Sequence, residues 1–491
     1  MSAPQNTSNS VEPQFKPIRR WAALAVLYLA SLINLIDVSI VNVALPQIQA
    51  DTGATPTQLK WVAEAYVLAL AVGLLPFGRF GDVFGRPRMF VWGLLGFTAA
   101  SAVCGLAPNI ESLIAARAMQ GMAAAMMVPQ VLAIVHVIFA PSEKARVFGL
   151  FGTISSLGVV VGPIIGGALI SADLAGLGWR PAFLLNIPLG VAALVGAWLY
   201  LPRLETDRET QPDWFGSALF ALAALLLIFP LIQGRALGWP WWSFALMAAS
   251  IPAVLAFASH QRNRSARGAS ALMPPGLMSN PTYLYRLALV TLFFSGIPGL
   301  FLVLAIFLQA GFGLTALESG LVTTPFPVGV MVASMLTQRF GDRHLHARIA
   351  GGAALLVIGM LGLVIVIQST GATPNGFAFA PPLLIAGFGM GAAVISLFQV
   401  TMASVAMQDA GAGSGAMQAF QQIGAALGIA VAGQIFFTVL GDGGMSAGSE
   451  SAPRFVQAAS CAVLYSVIVF FGLTFVVGWQ ALKSRKVTAG F

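Results

Sequence analysis

Apolar stretches of about 18 residues or more, nearly free of charge, recur along the whole chain, and each is long enough to cross a bilayer as a helix. Short polar or basic connections separate them. The pattern predicts fourteen spans, at 22–45, 61–80, 89–107, 111–138, 146–171, 181–201, 214–233, 242–259, 284–308, 318–338, 349–368, 379–402, 413–438 and 458–479. A soluble chain could not hide this much apolar surface. The fold class is an all-α polytopic membrane protein.

Composition agrees, with 58% hydrophobic and 9% charged residues among 491. Charge adds direction. Of the 25 lysines and arginines, Lys60, Arg180, Arg235 and Arg454 fall in one set of connections, Arg117 lies inside span 4, and all others fall in the alternate set. The rich side is cytoplasmic by the positive-inside rule. An even number of spans then places both termini in the cytoplasm. The net charge of +8 follows from topology, so nucleic acid is not needed to explain it. No small-residue cleavage site follows the first run, which reads as a retained helix rather than a signal peptide. Cys104 and Cys461 offer neither a disulfide framework nor metal-ligand spacing and read as small buried residues. No phosphate loop, nucleophile elbow or metal cluster is present, which argues against an enzyme or an ATP-driven pump.

The connections carry a repeat. "GRFGDVFGR", Gly78 to Arg86, follows span 2, and "QRFGDRHLH", Gln338 to His346, follows span 10. Spans 1–6 thus map onto spans 9–14, with spans 7 and 8 as an insert. Two parallel six-helix halves with substrate handled between them are a transporter architecture. The expected division is 1–20 tail, 21–203 first half, 204–270 linker with two extra spans, 271–482 second half and 483–491 tail. Spans 7 and 8, lying outside the repeat, are expected at the periphery. In span 5, Gly158, Gly162 and Gly166 stand at four-residue steps with Pro163 between them, a row that lets backbones approach closely. The proline suggests a helix that bends or slides. Gly424 and Gly428 repeat the row in span 13.

Charged residues inside apolar runs are costly and usually functional. Asp37, Glu64 and Arg117 all fall roughly 10–14 Å below the outer surface, counted at about 1.5 Å per residue, and are expected to share a cavity. Ser31, Asn34, Asp37 and Asn42 fall within an arc of about 140° on span 1, a polar stripe suited to a cavity wall. Asp37 reads either as a structural ion pair with Arg117 or as a carboxylate that binds and releases a proton. Glu64 reads as a cation-binding carboxylate, a second proton site or a group wetted near the interface. In the connection after span 2, Gly78, Gly81 and Gly85 would permit a tight turn. Asp82 there could meet the positive end of a neighbouring helix, or an arginine.

"GRFGDVFGR" resembles the loop-2/3 signature of the major facilitator superfamily. "RAMQGMAAA", from Arg117, and "GVVVGPIIGG", from Gly158, are similar to its span-4 and span-5 signatures. "LIDVSIVNVALP", "WRPAFLLNIPLG" and "FLQAGFGLTALESGL" resemble the fourteen-span drug–proton antiporter branch. The resemblance covers nearly the whole chain. The second connection departs from the signature past Asp342, and span 2 carries Glu64 where many relatives are neutral. The resemblance implies a monomeric inner-membrane exporter with no cofactor beyond the proton gradient. Its partners would be protons, small molecules and the lipid bilayer, and its phenotype multidrug efflux and antibiotic resistance. It assigns proton coupling to Asp37 and Arg117 and a cytoplasmic gate to Gly78, Asp82 and Arg86; Glu64 joins the coupling set by its position, and Asp342 joins the gate as the counterpart of Asp82 in the second copy. Cationic or neutral lipophilic substrates are expected. A dedicated exporter of one metabolite, lipid precursor or siderophore is the alternative, and a non-transporting receptor or scaffold a remote one.

Overall fold

The computed structural model describes residues 17–173, 176–204, 211–234, 237–337, 344–370, 375–441 and 452–488. Among these, 14 helices are long and apolar enough to span a membrane. They are Ile18–Thr52, Thr57–Phe84, Arg86–Gly105, Ile110–Ile138, Arg146–Ile170, Pro181–Tyr200, Trp214–Gln233, Trp241–Ala266, Pro281–Gly311, Glu318–Thr337, Leu345–Gln368, Gly376–Ala403, Met407–Leu440 and Pro453–Gln480. They are called spans 1 to 14 here, and the side bearing both chain ends is called the terminal face. Asp342, in the second copy of the connection motif, lies outside the described residues.

The spans start where their sequences provide caps. Thr55 Oγ1 accepts from Gln58 N (3.3 Å) while Gln58 Oε1 accepts from Thr55 N (2.9 Å), a reciprocal box that satisfies the first N–H groups of span 2. Asn109 with Ser112 does the same for span 4, and Thr315 with Glu318 for span 10. Glu318 is thus a helix-start charge, as its position suggests. Span 9 breaks after Ser295 and resumes at Pro298, which has no N–H to carry the ladder on.

Packing repeats along the chain. Spans 2 and 4, 3 and 4, 1 and 5, 3 and 6, and 1 and 6 pack together, and each pairing recurs eight spans later. The glycine rows form two of these seams. A Cβ on Gly158 would come 2.8 Å from Leu35 Cβ, and one on Gly162 or Gly166 would collide with Ser39 or Ile40 of span 1. Gly424 and Gly428 press likewise on the carbonyls of Thr291 and Ser295 in span 9. Span 5 runs as an unbroken helix with Pro163 inside it. The halves join where span 13 packs on spans 2 and 4, and span 5 on spans 10 and 12.

The insert is not wholly peripheral. Span 8 lies at the edge, with 17% of its membrane window buried. Span 7, however, packs along the line where spans 2 and 13 meet, in a cluster of Ala71, Ala224, Ile228, Leu231, Ala426 and Ala430. A polar knot ties the insert's ends together. Asp213, 2% exposed, caps span 7 through Gly216 N (2.9 Å) and accepts from His260 Nε2 (3.0 Å) and Gln261 Nε2 (2.8 Å). Burial alone would raise the Asp213 carboxyl pKa. The hydrogen bonds from His260, Gly216 and Gln261, with the Arg264 charge, together hold it below its ordinary value. The knot reaches on: Arg264 Nε donates to Ser270 O (2.9 Å), and Arg79 Nη2 donates to Ser270 Oγ (3.1 Å).

Candidate functional site

Span 1 carries Asp37 into the first half's interior, where it is fully buried, and span 4 brings Arg117 to it at 1% exposure. Arg117 Nη1 donates to Asp37 Oδ2 at 2.6 Å. Gln120 Nε2 and Asn186 Nδ2 each donate to Asp37 Oδ1 at 2.8 Å. Arg117 also donates to Val62 O (3.0 Å) and Gln120 Oε1 (2.6 Å), and its guanidinium lies 4.3 Å from the Tyr66 ring centroid. Ser101 accepts from Asn186 (2.8 Å) and Gln120 (3.2 Å) and donates to Phe183 O (3.0 Å). Five spans therefore contribute to one cluster around this carboxylate. Two opposite charges this deeply buried persist only because their remaining hydrogen-bonding groups are matched.

Asn34 is part of the surroundings, donating to the hydroxyl of Tyr66. Asn42 is not. It is exposed, and its amide donates to Val38 O of its own helix (3.4 Å).

The expected shared cavity for Asp37, Arg117 and Glu64 does not form around Glu64. Its carboxylate pairs with Lys60 Nζ (3.1 Å) and accepts from Gln233 of span 7, while Lys60 also donates to Ile232 O (3.4 Å). The reason is angular. Val62 and Tyr66 face Arg117, and a residue two positions from each points about 200° away on a helix. Distance along the sequence does not fix which face of the helix a residue takes.

At the terminal face the connection after span 2 is hardly a loop. The helix of span 2 continues through Gly78 and Gly81 to Phe84, and Gly85 alone, at φ 101°, turns the chain into span 3. Gly78 and Gly81 therefore serve close approach, not the turn. A Cβ on Gly78 would come 2.5 Å from Gly411 O, and one on Gly81 would strike the Gln130 amide. Asp82 Oδ1 accepts from Gly411 N and Oδ2 from Ala412 N, both at 2.9 Å, so a carboxylate caps the positive start of the helix in span 13. Arg86 Nε donates to Asp82 Oδ1 (2.8 Å), and Arg86 Nη2 donates to Met407 O (2.7 Å) and Gln408 O (3.0 Å). Arg79 pairs with Asp82 (3.5 Å) and Asp409 (3.6 Å). Both expected partners of Asp82, a helix end and an arginine, are present. This contact holds the two halves together at the terminal face. Asp82→Asn keeps the shape and removes the charge, and should slow transport roughly tenfold at equal expression. An unchanged transport rate in intact cells would remove this role.

Residues 27–429 match the family model described as Major Facilitator Superfamily. The chain belongs to the major facilitator superfamily. It is a multi-pass membrane transporter and not an enzyme. It is similar to the probable actinorhodin transporter of Streptomyces coelicolor, 40% identical over 441 residues that cover 89% of this chain and 76% of that protein. The puromycin resistance protein pur8 of Streptomyces alboniger is 31% identical, covering 96% of this chain and 93% of its own. Among solved structures, the human organic anion transporter MFSD10 superposes with a TM-score of 0.67 at 16% identity, covering 94% of this chain and 100% of that one. That last likeness shows the fold alone.

Gln120, Asn186, Ser101 and Tyr66 were not singled out from the sequence. Gln120 carried a usable signal, standing three residues after Arg117 and hence on the same helix face.

Proposed function

We propose that this transporter is a proton-coupled antiporter that exports small lipophilic compounds by alternating access, both termini lying in the cytoplasm. A relative named for puromycin resistance supports the outward direction. The basic terminal face supports the topology, and the repeated packing supports halves at 21–203 and 271–482 flanking the insert. The observation that carries the coupling is the buried Asp37–Arg117 pair.

A proton on Asp37 cancels its charge and leaves Arg117 without its anion. The arrangement drawn here is then disfavoured, and the half relaxes toward one in which Arg117 finds water or another partner. Deprotonation restores the pair. Protonation and conformation are linked, which is what coupling requires. The Asp82–Arg86 contact with span 13 is the cytoplasmic gate, and the Gly158, Gly162, Pro163 and Gly166 seam carries span 5 along span 1 as the halves rock.

Asp37 and Glu64 each have a cation beside them, Arg117 and Lys60 respectively. That balance favours neutral lipophilic substrates over cations. A dedicated exporter of one compound is the second reading, favoured by the 40% identity to a relative named for a single product. Everted vesicles loaded by respiration test both. Adding a transported compound should release protons from the lumen, and a panel of dyes and antibiotics separates broad from narrow response. Transport with no proton movement would overturn the coupling.

A further inference from the structure

The second half holds a cavity of about 420 Å³ remote from the Asp37 cluster, between spans 9, 11, 12 and 14 at the terminal face. Its wall includes Pro281 and Thr282 at the start of span 9, His346 at the start of span 11 and Gln480 at the end of span 14. These positions put its mouth at the boundary between hydrocarbon and head groups.

The chemistry of the wall is one-sided. Arg286 lines the cavity, as do His346, Thr282 and Gln480, and there is no carboxylate among the described lining residues. Arg286 Nη1 donates to Val400 O, which fixes the guanidinium, and its fork has five donors in all. Two helices begin here with their positive ends toward the mouth. Asn280 Oδ1 already accepts from Thr282 N (3.0 Å) and Tyr283 N (3.1 Å) of span 9. Among the described residues no side chain caps the helix of span 11, and its first-turn N–H groups add to the cavity's appetite for an anion. Behind the polar mouth the wall is apolar, with Leu289 and Leu397. A polar, positive rim over an apolar floor fits an anionic amphiphile, and basic pockets between spans on this side of a membrane suit phosphate head groups.

We propose that this cavity binds the phosphate-bearing head group of an anionic phospholipid of the terminal-side leaflet, its acyl chain lying along Leu289 and Leu397. The test uses the full-length protein in proteoliposomes containing photoactivatable phosphatidylglycerol, with crosslinks mapped by mass spectrometry. Labelling should concentrate in 281–289, 345–349 and 477–480, and unlabelled phosphatidylglycerol should displace it while phosphatidylcholine does not. Arg286→Gln should weaken labelling roughly tenfold. Because Arg286 also holds Val400 O, His346→Glu is the second variant: it places a negative charge in the cavity without touching that bond and should abolish labelling there. Equal displacement by phosphatidylcholine, or undiminished labelling in His346→Glu, would overturn the proposal. Displacement by inorganic phosphate as effective as by the lipid would show a soluble anion to be the ligand, and would overturn it too.

Discussion

Arg117→Met should lower the stability of the purified protein by about 3–5 kcal/mol, the range for removing one partner of a buried pair. Asp37 is fully buried and receives Arg117, Gln120 and Asn186. Taking away the cation leaves a carboxylate with two amide donors and no opposite charge in a low-dielectric interior. It must stay ionised at high cost or take up a proton and abandon the arrangement. The double variant Asp37→Asn/Arg117→Met should recover most of the loss, because neither charge remains to be left alone. Thermal unfolding of both variants in detergent measures this. A single variant as stable as the wild type would mean that the pair does not hold this conformation.

The fourteen spans were legible because each contains a long uncharged window, and a bilayer offers few alternatives to a helix for such a segment. Their ends were less so: span 1 runs on to Thr52 through Pro46, since a helix can continue past the hydrocarbon into polar sequence. Asp37 and Arg117 were legible as a pair because a charge in an apolar run is conspicuous. Asn186 and Ser101 were not, because an uncharged polar residue in a span is common and carries no such signal; Gln120 was marked only by its place three residues after Arg117. Glu64 shows the limit from the other side. Its neighbour, Gln233, comes from an insert with no counterpart in the repeat. The latch was half legible. Asp82 was marked by its motif, while the helix start that it caps, at "DAGAG", shows nothing but small residues until the fold sets it against span 2.

Asp37→Asn should stop proton-driven export while leaving the protein folded and able to bind substrate. Asparagine keeps the size of the side chain and fixes it in a neutral state, as protonation would. With no group at this site changing charge between the two facing states, the gradient has no differential hold on them, and a ligand shifts an equilibrium only by such a difference. Uphill efflux should fall at least about a hundredfold, the population shift lost when roughly 2.7 kcal/mol of linkage disappears. Downhill exchange needs no gradient and should persist. Glu64→Gln, away from the pair and bonded to the insert, should retain coupling. The direct measurement is therefore uphill efflux against downhill substrate exchange in the same vesicles, wild type beside Asp37→Asn. Our account predicts exchange retained and uphill efflux abolished in the variant; intact uphill efflux would show that Asp37 and Arg117 are a structural pair and that the proton is carried elsewhere.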